Sequence, residues 1–238
     1  MIDNMEKSKH FNQFWCVSLN RLYLPILIVT VIGLWNFPIL YPLKLLVVFF
    51  HESSHALMTV ATGGSVGEMV VTSNQGGHVS SIGGSRLLTL NAGYLGSLAW
   101  GAVIYLLALK SRWDRVISGV LGLIVVVITL FFVRNLFGLV FGGLSGGAMI
   151  LLGRYGSEGL NDLMLRVVGI TSMIYVPLDI YSDTISRSYL RSDARMLAEE
   201  LGGATVLWGG LWIAVSLVVL YLVVKVKGIS VEPVDRPE

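Results

Sequence analysis

The chain has 238 residues, of which 54% are hydrophobic and only 13% charged, with a formal net charge of +2 and a mean hydropathy of +0.74. A water-soluble domain carries about a quarter charged residues, so this chain has too few charges to cover a water-facing surface. Its 17 basic residues are scattered. That distribution excludes a nucleic-acid partner and a polybasic lipid-binding run, and the single Cys16 excludes an intramolecular disulfide and reads as an inert thiol.

Apolar blocks long enough to span a bilayer, about 17 to 25 residues each, mark an all-α polytopic membrane protein with six or seven transmembrane helices. Residues 1–21 form a polar N-terminal segment. The apolar stretch after them has no small-residue cleavage signal and leads into further spans, so it reads as a retained first helix. That first span runs from about Leu22 to Leu40, near Pro38 and Pro42, and the second from about Leu43 to Thr62.

Residues 63–85 are rich in Gly and Ser. Within them Glu68-Met69-Val70-Val71-Thr72 and His78-Val79-Ser80-Ser81-Ile82 alternate in polarity around Ser73-Asn74-Gln75-Gly76-Gly77, which predicts a small interfacial β-hairpin. Further spans are expected at about Leu87 to Leu109, Val116 to Val133, Leu163 to Ile180 and Ala204 to Val224. Leu136 to Leu152, with five glycines, is either a closely packed helix or a re-entrant segment. In the polar loop 181–203, Ser192-Asp193 reads as the start of a short helix that ends at Gly202-Gly203. Residues 22–224 form a single transmembrane domain without an internal repeat, and 225–238 a polar tail. The basic residues divide almost evenly between the two sides of this arrangement, so they assign no orientation.

The chemistry lies in the second span, in His51-Glu52-Ser53-Ser54-His55. Residues four apart share a helix face, so two imidazoles can grip one zinc ion while the Glu stands beside a water. Zinc lowers that water's pKa, and Glu52 can take its proton and deliver it to a leaving amine. Three ionisable groups in mid-membrane are costly unless paired or functional. A polar packing cluster would not need this spacing.

Zinc requires a third protein ligand. Asp179, just after Pro177-Leu178 at the end of a span, is the best placed, with Asp183 one turn later and Glu68 and His78 in the hairpin as alternatives. Asp114 and Asp162 fall in interhelical turns and read as solvated. Asn91 offers either an amide donor to a substrate carbonyl or an interhelical hydrogen bond beside Gly93 and Gly96.

Four landmarks give the chain a resemblance: His51 to His55 followed by Thr62-Gly63-Gly64; Gly76-Gly77-His78; Asn91-Ala92-Gly93-Tyr94-Leu95-Gly96; and Asp179-Ile180-Tyr181-Ser182-Asp183 followed by Ser192-Asp193-Ala194. In this order, over about Leu43 to Leu201, they resemble the site-2-protease superfamily, and within it the peptidase M50B-like branch. The resemblance implies an intramembrane zinc endopeptidase acting on membrane-embedded helices, with ligands at His51, His55 and Asp179. The chain departs from the superfamily's better-studied members, in which the ligand Asp precedes a Gly; here Ile180 follows Asp179.

Two other readings compete with the protease. One is a zinc-holding scaffold or adaptor without turnover, which would have no need of Glu52. The other is an ion transporter, which would require further acidic or His residues along a path. The expected partners are the lipid bilayer and a membrane-protein or peptide substrate. No appended domain is large enough to filter substrates by size, which leaves that task to a regulatory membrane partner or to a prior cleavage.

Overall fold

The computed structural model describes residues 24–186 and 191–226. The polar N-terminal segment with Cys16, residues 187–190 of the polar loop and the tail beyond Val226 lie outside the described residues. The chain divides into two compact units, Met1–Leu40 and Tyr41–Glu238. In the first, helix α1 (Leu24–Gly33) is followed by turns and a 3-10 turn, Pro38–Leu40. The expected continuous first span is therefore broken. Gly33 and the segment before Pro38 disfavour helix, since a residue preceding proline is pushed out of the α region.

In the second unit, α2 (Tyr41–Ala61) accepts Pro42 in its first turn, where a missing N–H costs nothing. It ends at Gly63, whose φ of +83° suits only a residue without Cβ. Strands β1 (Ser65–Val71) and β2 (Gly77–Ile82) pair antiparallel from Ser65↔Ile82 to Val71↔Gly77, with a bulge between Val66 and Glu68. The predicted hairpin is present, and it folds back along α2: the Tyr41 hydroxyl donates to the Ser73 carbonyl at the tip, 2.5 Å away. Its base is closed where the Thr62 hydroxyl accepts from the Ser85 amide at 2.9 Å.

The remaining helices are α3 (Arg86–Lys110), α4 (Asp114–Phe132), α5 (Leu136–Tyr155), α6 (Glu158–Tyr181), α7 (Asp193–Leu201) and α8 (Thr205–Lys225). Serines cap three of them: Ser85, Ser157 and Ser192 accept from amides in the first turns of α3, α6 and α7. Helix α6 contains Pro177, and one π-helical turn, Ser182–Ser186, follows it.

Helices meet where glycines let backbones touch. A Cβ on Gly169 of α6 would lie 2.7 Å from the Gly101 carbonyl oxygen of α3, and one on Gly122 of α4 would lie 2.5 Å from that of Gly146 on α5. The glycine-rich stretch from Leu136 is therefore a closely packed helix.

Five helices (α3 to α6 and α8) are long and apolar enough to cross a membrane, with a sixth span if Leu24–Gly33 and Pro38–Ala61 count together. Large apolar side chains stand exposed on their outer faces, among them Leu130, Leu144 and Leu217. Lipid is the solvent that tolerates so much exposed apolar surface, and the protein is a multi-pass integral membrane protein.

Candidate metal centre

Phe49, Phe50 and Ala56 are fully or almost fully buried on α2, so this helix is held on several sides. It directs His51, Glu52 and His55 into one cavity of about 430 Å³. The two imidazole Nε2 atoms lie 3.0 Å apart. A carboxylate oxygen of Asp193 lies 3.1 Å from each. Among the described residues, these three side chains are the group whose ligand atoms converge, all within 4.8 Å of one another.

The donor set fits a tetrahedral ion. Zinc bonds of about 2.0–2.1 Å to nitrogen or oxygen place neighbouring ligand atoms about 3.3 Å apart, close to the separations here. The space is provided by α3: a Cβ on Gly93 would lie 2.4 Å from His55 Nε2 and 2.5 Å from His51 Nε2. Any other residue would push a carbon against both ligand atoms. The second nitrogen of His55, Nδ1, lies 2.7 Å from the Thr89 carbonyl oxygen. A carbonyl can only accept, so Nδ1 carries the proton and the Nε2 lone pair faces the shared point.

Asp193 is the first residue of α7, where the helix dipole favours a negative charge. Burial would raise its carboxyl pKa. The nearness of His55 and His51 outweighs that effect and holds the carboxyl well below the usual carboxylate range, so Asp193 stays ionised. Ala194 and Leu197, both buried, anchor the short helix.

Glu52 is almost fully buried and lines the same cavity. The hairpin closes over it: a Cβ on Gly77 would stand 2.7 Å from a Glu52 carboxylate oxygen. Tyr94 packs the edge of its ring system against His51, with centroids 4.7 Å apart, and donates its hydroxyl to Asp183.

The expected third ligand, Asp179, and the carboxylate that stands at the imidazoles are different residues. Asp179 lines the cavity but is not in the converging group, and the carboxylate at the imidazoles is that of Asp193. The reason is topological. Asp179 lies on α6, whereas Asp193 reaches the imidazoles from the first turn of α7. Asp183 serves as acceptor for Tyr94. His78 sits at the cavity rim, half exposed, 3.8 Å from Glu68. Asn91 points elsewhere: it accepts from the Trp212 indole at 2.9 Å and donates to the Leu87 carbonyl, joining α3 to α8.

In the sequence, Ser192-Asp193-Ala194 is a landmark that assigns Asp193 no role, and Ile180 stands where a Gly would follow a ligand Asp. Those were the available signals. No curated protein and no solved structure matches the chain. The family described as Peptidase M50B-like matches residues 24–223, nearly all of the transmembrane domain with the His51, Glu52, His55 and Asp193 cluster inside it, and the chain belongs to that family.

Proposed function

We propose that the protein is an intramembrane zinc endopeptidase in which His51, His55 and Asp193 hold the metal and Glu52 is the general base. The observation that carries this reading is the convergence of two imidazoles and a carboxylate beside a buried glutamate within one cavity. Zinc held there would supply a Lewis acid and a water acidified toward neutrality.

Glu52 accepts a proton from the attacking water and returns it to the amine nitrogen as the peptide bond breaks. Its burial excludes bulk water, and the backbone of Gly77 confines its carboxylate to the cavity. His55 is oriented by the Thr89 carbonyl and His51 by the ring of Tyr94, so neither imidazole is free to turn away.

Hydrolysis requires an extended chain, so a substrate helix must unwind at the site. Strand β2 offers a place to hold it. Val79 and Ser81 of β2 line the cavity, and among the described residues no strand pairs with its outer edge. A peptide added there would have its backbone fixed beside Glu52.

The test is Glu52→Gln in the purified 238-residue chain. Bound zinc, measured by metal analysis, should be unchanged. Cleavage of fluorescein-labelled casein in detergent should fall by roughly two to four orders of magnitude, the usual worth of general acid–base catalysis. Equal cleavage by both proteins would remove Glu52 from the chemistry. Metal binding without cleavage by the native protein would favour the scaffold.

A further inference from the structure

The turn between α4 and α5 is built around Asn135, which occupies the N-cap position of α5 but makes no side-chain hydrogen bond to that helix. Asparagine is among the best capping residues because its side-chain oxygen can accept from amides of the first turn. Here the carboxamide turns outward to β1. Its nitrogen donates to the Val71 carbonyl at 2.7 Å, and its oxygen accepts from the Val71 amide at 3.2 Å. An amide that donates to and accepts from the same residue reproduces the pairing of a neighbouring strand. Beside it the Arg134 amide donates to the Met69 carbonyl at 3.1 Å, and Met69 and Val133 form a parallel bridge.

The turn is shaped to allow this. A Cβ on Gly138 would lie 2.6 Å from the Asn135 side-chain oxygen and 2.7 Å from a Val133 methyl carbon. Met69, Val71 and Val133 are buried, so the contact forms away from water, where an unpaired strand amide or carbonyl is costly.

We infer that Asn135 is a positioning residue: with Arg134 it closes the outer edge of β1 over Met69 and Val71, leaves the outer edge of β2 open among the described residues, and holds the hairpin so that Gly77 stays against Glu52. The inference rests on the protease reading for its consequence, because with Met69 and Val71 taken, an extended peptide is directed to the edge of β2, whose Val79 and Ser81 line the cavity with Glu52. A peptide paired with β1 instead would lie on the far side of the hairpin from the site. The anchorage of the hairpin itself is independent of catalysis.

The experiment uses the 238-residue chain with Asn135→Ala and Asn135→Asp; the Asp variant keeps one acceptor and replaces the donor with a second acceptor. Zinc content should match the native protein in both, since no residue of the converging group is touched. Hydrogen exchange in peptides covering 65–82 should quicken by roughly tenfold in the Ala variant, as expected for the loss of one or two buried hydrogen bonds, and at least as much in the Asp variant, whose second carboxylate oxygen would face the Val71 carbonyl oxygen. With labelled casein, KM should rise severalfold while kcat changes little, a split that general loss of folded protein would not produce. Unchanged exchange in 65–82 would overturn the inference whatever the activity. Quickened exchange with an unchanged KM would confine Asn135 to anchoring the hairpin and overturn its link to substrate. If native protein and variants all fail to cleave casein while exchange still quickens, the clamp stands and the protease reading fails.

Discussion

At the scale of single residues, the site depends on which carboxylate reaches the two imidazoles. Asp193 is 3.1 Å from both, whereas Asp179 lines the cavity outside that converging group. Asp193→Ala should therefore lose zinc during purification, and Asp179→Ala should keep it, as read by metal analysis of the two proteins side by side. Retention by the first and loss by the second would return the ligand role to Asp179. The pair His51 and His55 was legible in the linear sequence because helix geometry turns a spacing of four into one face. The partner carboxylate lies far along the chain, and no periodicity relates the two. Gly93 was legible only as a packing glycine; that its missing Cβ leaves the space at the ligand atoms became visible once α3 was laid against α2.

At the scale of elements, α7 is the piece that completes the site. It has only nine residues, too few to be stable as an isolated helix, so its position must come from packing. Leu197, fully buried, and the Arg86–Glu200 ion pair tie it down. The two should differ in weight. Truncating a buried leucine costs about 2–5 kcal/mol, while a half-exposed ion pair is worth about 1 kcal/mol or less. Leu197→Ala should thus weaken zinc affinity far more than Glu200→Ala in a chelator competition assay. Equal effects would mean that packing does not position Asp193. The short helix itself was readable from Ser192-Asp193 and Gly202-Gly203, which are local capping signals. Its docking was not, because two buried apolar residues on one face, Ala194 and Leu197, do not specify which wall they meet.

At the scale of the whole molecule, the outer faces of α4, α5 and α8 are apolar and exposed, and the cavity is lined instead by α2, α3, α6, α7 and the hairpin. A charge at the middle of such a face should act as it does in a bilayer. Leu144, 70% exposed near the centre of α5, is a suitable probe: Leu144→Arg should cost about 2.5–3.5 kcal/mol of insertion and sharply lower the membrane-integrated yield. An unaffected yield would mean that this face meets water. The sequence by itself determined the membrane class, the placement of most helices, the hairpin, and the His51, Glu52 and His55 face. Each of these is written in short-range patterns of hydropathy, turn residues and helical spacing. Only the tertiary structure decided that Asp193 rather than Asp179 meets the imidazoles, that Gly93 and Gly77 shape the space around them, and that Asn135 closes one edge of the sheet. Those facts depend on elements distant in the chain being brought within a few ångströms, and that approach is set by the packing of the whole bundle.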